Sequence, residues 1–288
     1  MSIVKILAPL TGGPRDEVVL AGAFAAAKPF NAHVEALFVK PDPVEAMPFY
    51  GEGMSSAVVQ EIMDASKSAV GKASQSASAA LAVAAQGCGA KVVASPEQRD
   101  CVTGSFVEVQ GNFADCVTLA ARLSDLVVFG SLKEGDRPGL SEAFEATLIE
   151  TGRPIFLISQ PPKPDFYKSI AVGWNGSMAS AHAVTASLPF LKLASNVEIL
   201  TVKQPSSEPI SVEELKAYLK LRGIKASERQ IEGGSRAVGD VLVEAAGKGG
   251  AGMLVAGGYG HSRLRELFVT GVTRRVVAQA DFPCFLVH

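Results

Sequence analysis

Residues 257–277 combine residue types that can bind an anion through the main chain. Gly257 and Gly260 are separated by two residues, and the run TGVTRRVV then begins a predicted helix at Thr270. Glycine permits positive backbone φ and close approach of amides to a bulky anion, and the first turn of a helix favours negative charge. Thr270 and Thr273 add hydroxyl groups at the same point. These residues predict a cradle for a di- or triphosphate.

Two further segments are expected to meet this loop at one edge of a sheet. The turn GWNGS, residues 173–177, follows a predicted strand, and Val202 lies at the end of the next one. In doubly wound sheets, ligands bind beyond the carboxyl ends of the strands, where the strand order reverses. Trp174 either stacks on a base or covers the edge of the sheet. A glycine loop that only turns the chain from strand to helix is the alternative to an anion cradle.

Composition excludes several classes of function. The 288 residues carry 27 basic and 29 acidic side chains, a formal net charge of −2, so we expect neither a nucleic-acid nor a membrane partner. The first apolar run does not resemble an export signal, which predicts a cytoplasmic protein. The cysteines lack CxxC spacing and nearby histidines, which predicts no metal site and no disulfide framework; they are Cys88, Cys101, Cys116 and Cys284. A redox role for Cys88 or Cys101 stays open.

The first part of the chain reads as an α/β unit. A β-α-β unit opens it, and residues 55–90 form a long Ala- and Ser-rich helical stretch that suits one helix or two joined ones. Further strands are predicted at residues 90–95, 125–131 and 152–159. Alternation of strands and helices predicts a parallel sheet.

The same order of elements then restarts. Residues 160–167, QPPKPDFY, carry three prolines, which predicts a linker. After it, GMLVAGG matches the earlier DLVVFGS, and DFPCFLVH matches GRPIFLIS. This internal duplication predicts domains at residues 1–159 and 168–288, each an open, doubly wound parallel α/β sheet.

The glycine loop resembles that of the universal stress protein family. Nucleotide-binding members carry glycine, two residues, glycine, nine residues, and then glycine followed by serine or threonine. Here Gly257 and Gly260 match, and after nine residues Thr270 and Gly271 stand in the inverted order. The resemblance covers both halves and so looks like the tandem form of the family. It implies an adenine nucleotide alpha hydrolase-like sheet of five parallel strands in each half, and pairing of the halves through their last strands as a pseudo-dimer.

The resemblance also implies which residues of the second half contact an adenine nucleotide. Asn175 stands where nucleotide-binding relatives carry an acidic residue that holds the ribose, and Val202 stands where the main chain contacts adenine. The candidate nucleotide-binding residues are Gly173, Trp174, Asn175, Val202, Gly257, Gly260, Thr270, Gly271, Val272 and Thr273. The expected cofactor is ATP or another adenine nucleotide. Which nucleotide is preferred, and whether Mg²⁺ accompanies it, stay open.

The first half departs further from the family pattern. Gly130 is present, but Lys133 stands at the second glycine position, and Ser141 and Glu142 replace the pair at the helix start. Thr11 stands where the ribose acid belongs. A carboxylate repels a phosphate by roughly 1 kcal/mol at about 4 Å even in water. We therefore predict no nucleotide in the first half.

Two functions are consistent with these residues. The first is a stress-response regulatory protein that binds an adenine nucleotide in its C-terminal domain only and presents a surface to an unknown protein partner. The second is a scaffold or partner-binding stress protein in which both sites have decayed. No general base and no set of serine, histidine and acid can be assembled, which predicts no catalytic residues and at most slow ATP hydrolysis. The physiological signal, the partner, and homodimer formation stay open.

Overall fold

The computed structural model describes residues 2–41, 56–96, 100–132, 136–203, 211–258 and 280–288. Five of the predicted site residues lie outside these ranges, as does Lys133; they are Gly260, Thr270, Gly271, Val272 and Thr273. The described residues form one sheet of eleven strands, and apolar cores lie on both of its faces beneath the helices.

The first half contains six strands and four α-helices within its described residues. They are β1 (Lys5–Leu10), α1 (Asp16–Ala27), β2 (His33–Lys40), α2 (Ser56–Cys88), β3 (Lys91–Val92), β4 (Thr103–Gln110), α3 (Phe113–Ala121), β5 (Leu126–Gly130), α4 (Leu140–Glu150) and β6 (Ile155–Ile158). A short 3₁₀ helix, Lys28–Phe30, follows α1. The Ala- and Ser-rich stretch is a single helix, α2, of 33 residues.

The second half repeats this plan with five strands and three α-helices in its described part. A 3₁₀ helix, Phe166–Lys168, precedes these strands and α-helices. They are β7 (Ser169–Gly173), α5 (Met178–Leu191), β8 (Asn196–Lys203), α6 (Glu213–Lys220), β9 (Ser227–Glu232), α7 (Val238–Lys248), β10 (Met253–Gly257) and β11 (Cys284–Val287). Across all the described ranges, no helix combines the length and the apolar character that crossing a bilayer requires.

Strand order confirms the predicted fold class. The sheet runs β3-β4-β2-β1-β5-β6-β11-β10-β7-β8-β9. If the two-residue β3 is set aside, each half has the order 3-2-1-4-5 of its own strands, and all pairs within a half are parallel. The halves join where β6 and β11 pair antiparallel, with Phe156 opposite Phe285. The expected pairing through the last strands of the two halves is therefore confirmed.

The strand predicted at residues 90–95 is present but shorter than expected. Of residues 90–95, only Lys91 and Val92 are extended, and they form an exposed edge strand. The third main strand of the first half is β4, which pairs along the full length of β2. Its buried end is built from small residues, and a β-carbon on Gly104 would lie 3.0 Å from the ring of Phe24. The buried end of β4 therefore packs closely under α1 and α2 through small residues, without the apolar run by which a buried strand is predicted from sequence.

Individual main-chain hydrogen bonds recur at equivalent strand ends of the two halves. Ser131 N–H donates to Ile158 O at 2.7 Å, as Gly258 N–H donates to Val287 O at 2.6 Å. After the neighbouring strands, the amides of Gly111 and Gly233 donate to Lys40 O and Lys203 O, each at 3.0 Å. Because main-chain bonds do not depend on side-chain identity, their repetition supports an internal duplication.

The two halves share an aromatic core at their junction. Phe190 of α5 lies with its ring centroid 5.0 Å from Phe30, 6.4 Å from Phe156, 5.9 Å from Phe166 and 6.1 Å from Phe285. Phe30 and Phe156 belong to the first half, whereas Phe285 belongs to the last strand of the second. Phe166, in the proline-rich segment between the halves, is only 2% exposed. The end of that segment is thus part of the core.

Candidate functional site

The carboxyl ends of β7, β8 and β10 bring three of the predicted segments to one edge of the sheet, which we call the second-half edge. Gly173 pairs in register with Leu200, and the amide of Trp174 donates to Leu200 O at 2.9 Å. Val202 lies two residues further along β8. On the other side of β7, β10 ends at Gly257. The structure therefore brings together the predicted site residues that it describes.

Asn175 organises the turn between β7 and α5. Its Oδ1 accepts hydrogen bonds from Ser177 N at 3.1 Å and from Ser177 Oγ at 2.6 Å. Ser177 in turn caps α5 by accepting from the amide of Ser180 at 3.2 Å. Gly176, between them, has φ of +70°. The carbonyl oxygen of Asn175 is thus used by the turn, while its exposed amide nitrogen can donate to a hydroxyl group.

Trp174 covers the edge of the sheet. Its indole is partly buried against the core, and Nε1 donates to Ser211 O at 3.1 Å, beside the start of α6. The sequence leaves two roles open for this residue, and the contacts of the ring favour edge cover over a free stacking platform. An indole held in this way is a fixed wall of the second-half edge.

Gly257 has a packing role that its sequence pattern does not reveal. A β-carbon there would lie 2.6 Å from the carbonyl carbon of Ala179 and 2.6 Å from the amide nitrogen of Ser180. Its φ is not positive, so the expected use of positive φ at this residue is wrong. The next amide, of Gly258, is bonded to Val287 O. Close packing against helices explains the glycines at positions 257 and 258. The predicted phosphate cradle therefore depends on residues 259–279, which lie outside the described ranges.

The equivalent first-half edge, at the ends of β1, β2 and β5, is occupied by charged side chains. Asp16, 2% exposed, accepts from Thr11 N at 2.9 Å, from Thr11 Oγ1 at 3.1 Å and from Gly12 N at 2.7 Å. Burial raises the pKa of Asp16, and the bonds from Thr11 and Gly12 and the charge of Arg137 oppose that rise. The amides of this turn therefore donate to a carboxylate of the protein itself.

Helix α2 closes the same turn from above. Gly12 has φ of +79°, and a β-carbon there would lie 2.5 Å from Cβ of Ala73. Ala73 of α2 therefore packs directly against the turn that follows β1. Thr11, the residue expected at the ribose position, is partly buried in this turn and donates to Asp16.

Arg137 fills the end of β2. Its Nη2 donates to Val39 O at 2.5 Å, and its guanidinium carbon lies 4.6 Å from the ring centroid of Phe113 and 5.8 Å from that of Phe38. Val39 is equivalent to Val202, because each precedes a lysine whose carbonyl accepts from the glycine after the next strand. Burial lowers the pKa of Arg137, and the negative charge of Asp16 opposes the fall.

A second arginine covers the end of β5. Arg15 Nη1 donates to Ser131 O at 3.2 Å and forms an ion pair with Asp136. Glu142 lies in the first turn of α4, where a phosphate would otherwise meet the helix. The first-half edge is therefore filled by the chain's own charged groups.

The second-half edge carries small side chains at the corresponding positions. Counting from the positive-φ glycines Gly12 and Gly176, Arg15 and Asp16 correspond to Ala179 and Ser180. Ser180 Oγ donates to Ser177 O at 2.8 Å and so does not reach back to the turn amides as Asp16 does. Sequence reading missed Asp16 and Arg137; the available signal for Asp16 was the charged pair Arg15 and Asp16, where the other copy has alanine and serine.

The described thiols and imidazoles show no catalytic arrangement. No group of three or more metal-ligating side chains lies within the described ranges. Burial raises the pKa of the Cys284 thiol to about 12 and also raises that of Cys116. His33 is buried in the sheet between Thr103 Oγ1 at 2.8 Å and Ser105 Oγ at 2.9 Å.

Comparison with known proteins identifies the second half. Residues 166–288 match the model of the Universal stress protein family. This half is a universal stress protein domain. A crystal structure of a universal stress protein from Archaeoglobus fulgidus DSM 4304 is similar over 98% of this chain and 95% of that chain, with a TM-score of 0.66 and 12% identity. Its similarity extends over both halves, so the fold of that protein spans this chain.

Two shorter universal stress proteins are similar to part of the chain. One, from Burkholderia pseudomallei, is 22% identical, covers 43% of this chain and 97% of its own, and has a TM-score of 0.31. The other, crystallised in complex with cAMP, is 22% identical, covers 42% of this chain and 97% of its own, and has a TM-score of 0.32. No protein with a curated description matches the sequence.

Proposed function

We propose that this universal stress protein is a stress-response regulatory protein that binds ATP or a related adenine nucleotide at the second-half edge only. The observation that carries the proposal is the contrast between two edges of the same fold. In the first, Asp16 and Arg137 take the turn amides and the carbonyl of Val39. In the second, Ala179 and Ser180 stand where the first half has Arg15 and Asp16.

Contacts to a nucleotide follow from the residues at this edge. The amide nitrogen of Asn175 would donate to a ribose hydroxyl, and the main chain at Val202 would contact the adenine ring. The phosphates would lie towards Gly260 and residues 270–273, where amides and threonine hydroxyls supply donors without a charged side chain. Trp174 would form the wall of the site beside α6.

Regulation, rather than turnover, is the expected outcome of binding. A ligand that binds only the native state stabilises it, and a bound nucleotide would add its own charge and surface at the second-half edge. The surface around the second-half edge would therefore differ between the occupied and free protein. A protein partner that distinguishes these surfaces would bind the occupied and the free protein with different affinities.

Thermal unfolding with a panel of ATP, ADP, AMP and cAMP, each with and without Mg²⁺, tests the proposal. The panel includes cAMP because a related universal stress protein has been crystallised with it. A ligand at about 100 times its Kd stabilises the native state by about 2.7 kcal/mol, which corresponds to a rise in Tm of several degrees. Mass spectrometry of nucleotide released from the purified protein provides an independent readout.

A matched pair of variants assigns the binding to the second-half edge. Ser180→Asp imports the carboxylate that Asp16 supplies in the first half, and it should abolish the rise in Tm through capture of the turn amides and repulsion of phosphate. Thr185→Asp places the same charge on an exposed part of α5 and should leave the rise unchanged. Equal loss in both variants would contradict the assignment.

The alternative function is a scaffold that binds partners without nucleotide. It is favoured by the packing roles of Gly257 and Gly258, by the use of Asn175 Oδ1 within its own turn, and by the inverted order of Thr270 and Gly271. If no nucleotide in the panel raises Tm at millimolar concentration and none is released from the purified protein, this function replaces the first.

A further inference from the structure

The guanidinium of Arg137 occupies, within the first half, the position of a ligand. We propose that Arg137 is a built-in ligand of the first-half edge, and that truncating its side chain opens a cavity that binds free guanidinium cations. This site lies in the first half alone and does not depend on nucleotide binding in the second.

Arg137 makes the polar contacts that a bound cation would need. Nη2 donates to Val39 O at 2.5 Å, at the end of a strand whose last carbonyls face the edge. The carboxylate of Asp16, almost fully buried, supplies the opposite charge. Truncation of Arg137 would remove a favourable positive charge from the neighbourhood of Asp16, so a cation bound in its place would be stabilised by that carboxylate.

Aromatic rings complete the site. The guanidinium carbon lies 4.6 Å from the ring centroid of Phe113 and 5.8 Å from that of Phe38. Planar guanidinium groups are attracted to aromatic faces and are less strongly hydrated than ammonium groups. A lysine side chain would satisfy the charge of Asp16 but not the planar stacking and multiple donors. The site is therefore selective for guanidinium over ammonium.

The backbone around Arg137 is held by tight packing. Gly139 has φ of +84°, and a β-carbon there would lie 3.2 Å from Cβ of Phe113. The carbonyl of Arg137 accepts from the amide of Leu140 at 3.2 Å, at the start of α4. This turn is fixed against Phe113 and directs Arg137 towards the first-half edge. Phe113 and the turn should therefore keep their positions when the Arg137 side chain is shortened.

Chemical rescue tests the proposal. Arg137→Ala should lower Tm by about 5 °C or more, because the charged hydrogen bond to Val39 O and the contacts with two aromatic rings are lost. Addition of about 20 mM methylguanidinium should recover a large part of this loss in a saturable manner, since the cation binds only the native state. The same concentration of methylammonium should recover much less. Arg137→Lys should remain destabilised for the same reason.

Arg222 provides the matched control. Its guanidinium also lies over an aromatic ring, 3.7 Å from the centroid of Tyr218, and donates to a main-chain carbonyl, but the residue is exposed. Truncation there leaves open surface, so Arg222→Ala should show no rescue. Rescue of both variants to the same degree, or of neither, would overturn the proposal.

A measurement on the unaltered protein covers the case in which Arg137→Ala does not fold. The Nε–H of Arg137 should exchange with solvent at least about tenfold more slowly than that of Arg222, because Arg137 is partly buried between two rings and a strand-end carbonyl, whereas Arg222 is exposed. Equal exchange rates for the two side chains would show that Arg137 is not enclosed, and would also overturn the proposal.

Discussion

Gly257 of β10 lies against Ser180 of α5 so closely that a β-carbon on the glycine would be 2.6 Å from the serine amide nitrogen. The contact sets the distance between strand and helix at the second-half edge. Because it involves main-chain atoms, no side-chain rotation can relieve it. The position of the α5 N-terminus, and with it the turn that contains Asn175, therefore depends on a glycine in β10.

Replacement of Gly257 by alanine should destabilise the protein. Overpacking of this kind costs about 1–3 kcal/mol, and the measurement is urea unfolding. Gly87→Ala is the control, because this glycine lies in helix α2 with open space around its β-carbon position. That substitution should stabilise the protein by about 0.5–1 kcal/mol. An unchanged unfolding midpoint for Gly257→Ala would show that the contact is not as close as described.

Asp16 and Arg137 should be energetically coupled. Asp16→Ala removes three hydrogen bonds and takes a favourable negative charge away from the half-buried guanidinium of Arg137, which should cost about 3 kcal/mol. The double variant with Arg137→Ala should be less destabilised than the sum of the single variants by about 1 kcal/mol or more. Additive losses in urea unfolding would mean that the two groups act independently.

His33 should make stability depend on pH. Burial lowers its pKa from 6.5, an effect that the positive charge of Lys5 reinforces and the negative charge of Glu35 opposes. The folded state then binds fewer protons than the unfolded state, so the contribution of His33 is fully present above about pH 6.5 and is lost as pH falls through the folded pKa.

Urea unfolding at a series of pH values measures this effect. His33→Gln should lose part of the decline in stability that the unaltered protein shows below pH 6.5. His182→Gln, at an exposed position, should retain the full decline. If both variants decline as steeply as the unaltered protein, another group is responsible.

Phe190 should couple the unfolding of the two halves. Its ring contacts Phe30 and Phe156 of the first half, Phe166 of the segment between the halves, and Phe285 of the second half. The Phe190 side chain is fully buried. Phe190→Ala should cost about 3–5 kcal/mol. In the unaltered protein, the fluorescence of Trp174, the only tryptophan, should follow the same transition as far-UV circular dichroism. Two separate transitions would contradict a shared core.

Sequence reasoning anticipates the repeated architecture because that architecture depends on periodic patterns. The runs DLVVFGS and GMLVAGG are buried strands, and the last strands of the halves pair as expected. It misplaces β4, because close packing there favours Gly104 and small polar residues over an apolar run. A pattern of hydrophobicity cannot reveal a strand whose residues are buried because their side chains are small.

The site was predictable only in part. The convergence of Gly173, Val202 and Gly257 follows from the fold class, since parallel strands end at the same edge. The packing role of Gly257 does not, because it depends on how closely α5 approaches β10. Nor does the filling of the first-half edge, because Asp16 and Arg137 are far apart in sequence and meet only in the folded chain.

The central claim is that one adenine nucleotide binds per chain, at the second-half edge. Isothermal titration of ATP into the unaltered protein and into Ser180→Asp tests it most directly. We predict a stoichiometry of one per chain with a Kd tighter than about 1 mM, and loss of the binding heat in Ser180→Asp. Absence of binding by the unaltered protein at millimolar ATP, or a stoichiometry of two per chain, would contradict the account.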